Sequence, residues 1–199
     1  MAGAFPISSA QLESLGIKSI QNTIISKSVS GKKLARQIDG QRWGFTARVI
    51  TAKRSDVYGE LMAFIVKQRS GKENFTIIPP EVEDARGTAS GTPNGTASAG
   101  ATSITLGGTG TGTLKAGDFI KFANHDKVYM VVADQSDIST GSLTIEPPLT
   151  TAVSSSNIQY DNIPFTVHLT NDIQEFGVVG ADKDGNALYQ FEFDVEESL

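Results

Sequence analysis

Cysteine is absent from this chain of 199 residues, which excludes a disulfide framework and a thiolate metal site. Histidine occurs twice, as His125 and His168. Neither has the closely spaced partners that a metal site requires, so the first reads as a turn histidine and the second as part of the alternating strand TVHLT. The longest apolar run, LMAFIV at residues 61–66, is far shorter than the roughly 20 residues of a membrane-spanning helix. The opening MAGAFPISSAQ has no basic region followed by an apolar core, so no signal peptide is expected. These absences predict no membrane partner and a setting in the cytosol, or in a particle assembled there.

Catalytic signatures are missing as well. There is no G-x-S-x-G elbow and no thiol nucleophile. The run Gly107–Gly112 lacks the G-x-x-x-x-G-K-[ST] spacing of a phosphate cradle, and Lys115 is followed by Ala116; the run reads as a flexible turn. Asp182-Lys183-Asp184-Gly185-Asn186 is similar to the start of a calcium loop, but its glycine comes too early and no glutamate follows at the required distance. It predicts a hairpin turn. Glu81, Glu83 and Asp84 lie close enough in sequence for paired-carboxylate chemistry, yet a Gly/Ser-flanked stretch cannot desolvate either acid. The sequence therefore predicts no catalytic, cofactor-binding or metal-binding residue, no cofactor, and no enzyme.

What is present is unevenly spread. The net charge is −5, but residues 1–80 carry 12 Lys and Arg against 5 Asp and Glu, while residues 81–199 carry 5 against 17. A basic half suggests nucleic acid, although no aromatic residues are interleaved with these charges to stack bases. Surfaces of opposite sign on one chain suit head-to-tail self-association. Solvated faces of two different domains account for the split equally well.

One stretch has a helical pattern. In residues 55–70, Val57, Tyr58, Leu61, Met62 and Ile65 recur on one face, with Ser55 as N-cap, Lys67 and Arg69 at the negative end of the dipole and Gly71 as the stop. Gly59 inside it costs about 1 kcal/mol against alanine. The remainder reads as short strands. Residues 1–16 read as an arm or loop ending at Gly16, Ile17–Ser28 as a first strand, Lys32–Gln37 as a basic strand, and Asp39-Gly40 as a hairpin turn. In QRWGFTARVI, Trp43, Phe45, Ala47 and Val49 alternate with polar residues, and Trp43 reads as core. Residues 73–78 form a strand stopped by Pro79-Pro80.

Residues 81–112 are dominated by Gly, Ala, Ser and Thr, a linker composition interrupted by a short strand at 103–106. Beyond it, strands at 119–122, 128–132 and 143–145 suggest a small barrel with Phe119, Phe122 and Tyr129 in its core, before Ser154–Ser156 loosens the chain. Strands at 165–169 and 173–179 follow. In LYQFEFDVE, Tyr189, Phe191, Phe193 and Val195 share one face, opposite Gln190, Glu192, Asp194 and Glu196. The expected fold is mainly β: a β-sandwich with one α-helix, plus an inserted small OB-like β-barrel. Residues 1–83 and 164–199 form the discontinuous sandwich, with its helix at 55–70, and residues 84–163 form the insertion.

Three stretches carry a resemblance to a known family: Gln41-Arg42-Trp43-Gly44 entering a strand before the helix, KAGDFIKFANHDKVYMV at residues 115–131, and the closing VEESL, Val195–Leu199. Together they resemble the distal tail protein of long, flexible-tailed bacteriophages, in the version carrying an OB-fold insertion. That resemblance implies a structural virion protein without catalysis: a hexameric ring, built by the sandwich, that joins the tail tube to the baseplate hub, tail fibres or receptor-binding tip. It implies partners among the tail tube and baseplate proteins, DNA passing through the ring without specific binding, and a place in the virion after assembly in the host cytoplasm. Another tail-tube-type subunit and a carbohydrate-binding module for host attachment are the competing readings.

Two structural expectations follow. The acidic face of the last strand (Glu192, Asp194, Glu196) is exposed, as a negative wall toward a DNA channel. Residues 84–163 can be excised without touching the sandwich core around Trp43, Phe191 and Phe193, because loop closure depends weakly on length.

Overall fold

A computed structural model of the protein describes residues 3–8, 11–37 and 40–198. Its strands are β1 (Leu12–Ile20), β2 (Thr23–Lys27), β3 (Lys33–Gln37), β4 (Arg42–Lys53), β5 (Phe75–Ile77), β6 (Pro93–Ala97), β7 (Ser103–Gly108), β8 (Phe119–Phe122), β9 (Val128–Val131), β10 (Ser142–Glu146), β11 (Val153–Gln159), β12 (Phe165–Leu169), β13 (Phe176–Ala181) and β14 (Ala187–Glu197). The one α-helix among the described residues is α1 (Gly59–Lys67). A six-stranded sheet has the order β1-β4-β14-β12-β5, with β13 also paired to β14. Strands β10-β7-β6-β11-β8-β9 close a barrel, and β2-β3 form a separate two-stranded sheet. The mainly β class, the single helix and the closed barrel are as expected. The barrel has six strands, one more than the five of an OB fold. The turn expected at Asp39-Gly40 and the terminal Leu199 lie, in whole or in part, outside the described residues.

Period-two patterning puts the sheet in place. Trp43, Phe45, Ala47 and Val49 of β4 and Phe191, Phe193 and Val195 of β14 are all buried, and these central strands run antiparallel with Phe193 opposite Ala47. The inner face is covered by Tyr58, Leu61 and Ile65 of the helical segment and by Phe5 and Ile7 of the N-terminal arm, in one apolar cluster. Phe5 packs against Phe64, Phe75 and Phe193 with ring centroids 5.4–6.0 Å apart.

The helix differs from expectation at both ends. Residues Arg54–Tyr58 make a π-helical turn before α1, and Ser55 spends its hydroxyl on Asp56 rather than on a cap. The helix stops at Gln68, where Arg69 and Ser70 take left-handed backbone angles (φ 53° and 62°). Gly71 is needed elsewhere, since a β-carbon there would stand 2.6 Å from the Leu169 carbonyl of β12.

The stretch at 81–112 corrects the linker reading. It contains β6 and β7, which pair from Pro93–Gly108 to Thr96–Thr105. Small residues are required because other groups come close. At Gly95 an added β-carbon would meet Ile104 at 2.7 Å and Phe122 at 2.8 Å inside the barrel. Gly112, at φ +88°, sits against the Thr88 carbonyl, so the glycine run is a tightly packed crossing rather than a flexible turn. Ser154–Ser156, expected to loosen the chain, lies within β11.

A Gly95→Ala substitution overpacks this interior and is expected to cost about 1–3 kcal/mol. Chemical denaturation of the variant against the parent protein measures it.

Candidate assembly surfaces and the barrel–sheet junction

The barrel meets the sheet through a buried ion pair. Glu197, at the end of β14, and Lys127, in the loop between β8 and β9, are bonded to each other with side chains 0% and 1% exposed. The carboxylate accepts two further bonds, from the backbone N–H of Val128 at 2.9 Å and of Trp43 at 3.2 Å. The Lys127 ammonium also donates to Gln41 Oε1 at 2.9 Å and lies 5.9 Å from the centre of the Trp43 ring. Trp43 Nε1 donates to the Val128 carbonyl at 2.9 Å. Burial pushes the Glu197 carboxyl up and the Lys127 ammonium down, each against the attraction of the other.

This junction went unread in the sequence, although a signal was there. Glu197 has the same parity as Phe191, Phe193 and Val195, so strand periodicity alone places its carboxylate on the core face, where it must find a partner. The expectation that excision leaves Trp43 untouched is corrected. Trp43 packs edge-on against Phe119 of the barrel at 5.1 Å, and Phe119 also contacts Phe165 of β12 at 5.9 Å. Phe119 therefore faces the junction, while Phe122 and Tyr129 fill the barrel interior.

The two histidines lie apart, as their sequence setting implies. His168 is half-buried on β12. His125 sits in the turn between β8 and β9, with Nδ1 2.9 Å from Asn124 Oδ1 and Nε2 2.8 Å from the Tyr129 hydroxyl. Asn124 donates its amide to the Ala152 carbonyl, which leaves its oxygen as the acceptor. His125 Nδ1–H must then be the donor, and Nε2 accepts from Tyr129. Tyr129 in turn accepts from the Thr150 N–H at 3.1 Å. Burial, and then the Lys121 charge, hold the His125 pKa below its usual value.

The acidic row of β14 is not a negative wall. Glu192 pairs with Arg48 at 2.8 Å, Asp194 with Lys18 at 3.5 Å, and Glu196 with Arg42 at 2.7 Å. All three acids lie on the outer face, but only Glu192 is exposed as expected; Asp194 and Glu196 are half-buried, and cations from β1 and β4 match the three acids one for one. The expected turn at Asp182–Asn186 joins β13 to β14. The Asp182 carboxylate accepts from the backbone N–H of Asp184 and of Asn186 and from the Asn186 amide, and is bonded to Lys53. These bonds hold its pKa far below the ordinary carboxylate range. Glu81 and Asp84 are exposed and Glu83 is half-buried.

The hairpin β2-β3 differs from the rest of the molecule. Every residue of both strands is exposed, and the hairpin pairs with no third strand among the described residues. Lys27, Lys32, Lys33 and Arg36 make it basic, with no acid between residues 23 and 37. It also presents Ile24, Ile25 and Leu34, each more than half exposed. The single strand expected over Ile17–Ser28 is divided between β1 and β2, and Ile24 and Ile25 of its second part are left uncovered. Val178 and Val179 are similarly exposed on β13, at the edge of the sheet.

Residues 83–163 match the family model described as "Distal tail protein pb9, B domain". That span takes in all six barrel strands, so the barrel is similar to the B domain of a phage distal tail protein and supports the resemblance. No curated protein matches the chain.

Replacing Trp43 with Phe keeps most of the ring contact but leaves the buried Val128 carbonyl without its donor. The expected loss is about 1–3 kcal/mol, read from urea denaturation followed by circular dichroism. A second expectation concerns acid. Because the folded His125 pKa is lowered, the unfolded chain binds the extra proton first, so stability falls as pH drops below about 6.5 and levels off beneath the folded value. NMR titration of His125 and a reduced acid slope in a His125→Gln variant check this.

Proposed function

We propose that this chain, whose barrel is similar to the B domain of a bacteriophage distal tail protein, closes into a ring of six copies at the far end of the phage tail. In that position it joins the tail tube to the baseplate hub, tail fibres or tip. A structural role in the tail follows from the matched family; the ring, its six copies and its place as a connector form the proposal. The observation that carries it is the hairpin β2-β3, fully exposed, basic and apolar at once. An isolated two-stranded hairpin is marginally stable in water, and exposed isoleucines on both its faces call for cover. A closed ring supplies that cover, because each copy offers a different surface to each of its neighbours. The acidic excess of residues 81–199 provides a partner surface of opposite sign.

The tail tube protein and the hub or tail-fibre proteins would then meet the two rims of the ring, and DNA would pass through without specific binding. The protein would be a virion component assembled in the host cytoplasm. A glycan-binding role for the barrel has less support, since Phe122 and Tyr129 are buried and Phe119 faces the junction. Reconstruction of intact particles tests the reading. A single six-fold ring at the tail end supports it, a ring repeated along the tail indicates a tube subunit, and a lone copy or a two-fold dimer refutes it.

Reversing the hairpin charges with Lys27→Glu, Lys33→Glu and Arg36→Glu together should leave the fold intact, since exposed substitutions usually change stability by no more than about 0.5 kcal/mol each. Incorporation into tails should be lost. Assembly of the parent protein with its tail partners should weaken as salt screens the contact. Complementation of a phage lacking the protein, followed by negative-stain imaging, measures the first effect.

A further inference from the structure

We propose that the Glu197–Lys127 pair is a positioning clamp: it fixes the angle at which the barrel stands on the sheet, and it is not there chiefly for stability. The inference holds whether or not the chain forms a ring. Apolar contact between the two parts comes from Trp43 and Phe165 on the sheet side and from Phe119, Val128 and Met130 on the barrel side, and such contact is non-directional. The two chain crossings are tied side by side by the Asn162 N–H, which donates to the Glu83 carbonyl at 2.7 Å. That tie fixes where the barrel is attached; one backbone bond does not by itself set the barrel's tilt.

Beside the Trp43 indole bond to the Val128 carbonyl and a bond from Lys121 Nζ to the Pro164 carbonyl at 3.3 Å, the directional bonds of the junction converge on one carboxylate. One Glu197 oxygen takes the Val128 N–H of the barrel, and the other takes the Trp43 N–H of β4 together with the Lys127 ammonium. Lys127 is bonded in turn to Gln41, just before β4. The barrel backbone and the sheet backbone are therefore both bonded to the same planar group, so a tilt of either part breaks a bond to it. Replacing a buried ion pair with apolar residues of similar size is often neutral or stabilising, whereas removing one partner leaves a buried charge unpaired. Burial opposes the charged form of both groups here. An arrangement that costs stability and constrains direction is suited to setting a pose.

The absence of cysteine allows clean placement of spin labels. Labels introduced at Ser136→Cys in the barrel and Glu60→Cys on α1, both exposed positions, report the inter-part distance by pulsed electron resonance. A second pair, Ser136→Cys with Ser98→Cys, lies within the barrel and controls for local unfolding. The parent protein should give one narrow distance for each pair. In the Lys127→Met/Glu197→Leu double variant, thermal stability should match or exceed that of the Glu197→Leu single variant. Its inter-part distance should lose the single narrow peak, while the barrel pair stays narrow. The near-isosteric Glu197→Gln variant, measured in parallel, guards against failure of the double variant to fold. Broadening confined to the inter-part pair in either folded variant supports the clamp. An unchanged narrow inter-part distance in every folded variant, or broadening of both pairs together, overturns it.

Discussion

Burying the Glu197 carboxylate requires donors, and those donors come from both parts of the chain. Removing a carboxylate from water costs several kcal/mol even after the protein relaxes, so the group is tolerable only where positive charge and N–H groups are already directed at it. Trp43 N–H, Val128 N–H and Lys127 meet that demand. Satisfying them together fixes the end of β14, the start of β4 and the loop between β8 and β9 relative to one another. Trp43 gains a second role from the same arrangement. Its backbone serves the carboxylate, while its indole spans the junction to the Val128 carbonyl and the Phe119 ring.

The remainder of the molecule divides into surfaces that are satisfied and surfaces that are not. The outer face of the central strands pairs the acids of β14 one for one with cations of β1 and β4; exposed pairs of this kind contribute little stability, but they offset the acidic row of β14. The hairpin β2-β3 has four cations, uncovered isoleucines and no further strand beside it among the described residues. The edge strand β13 leaves two valines exposed. Exposed edges and apolar side chains invite association with another chain.

Much of the fold could be read from spacing. The alternation in β4 and β14, the apolar face of α1, and the strands at 119–122 and 165–169 follow directly from where large apolar residues recur. Residues 81–112 could not be read in the same way, because Gly, Ala, Ser and Thr mark a flexible linker and a crowded barrel crossing alike; only the neighbours of Gly95 and Gly112 separate the two. The helix stop was misplaced because Arg69 takes the left-handed angle that glycine usually supplies. The β1-β2 boundary was missed because Ile20, Ile24 and Ile25 look equally apolar in sequence, while only Ile20 packs against the sheet, at Gly44. Glu197 is the instructive omission: its parity placed it in the core, but its ionic partner lies 70 residues away, beyond the reach of local pattern.

The side-by-side crossings at Glu83 and Asn162 make the barrel look like a part that lineages could exchange freely, since any module with neighbouring ends would fit the same gap. The sheet limits that freedom. A replacement must present a carbonyl to the Trp43 indole, an apolar ring or its equivalent beside it, and a cation to Glu197; otherwise β4 and β14 must change in step. Inheritance at this site is therefore expected to be correlated, with Trp43 and Glu197 travelling with the barrel they accommodate.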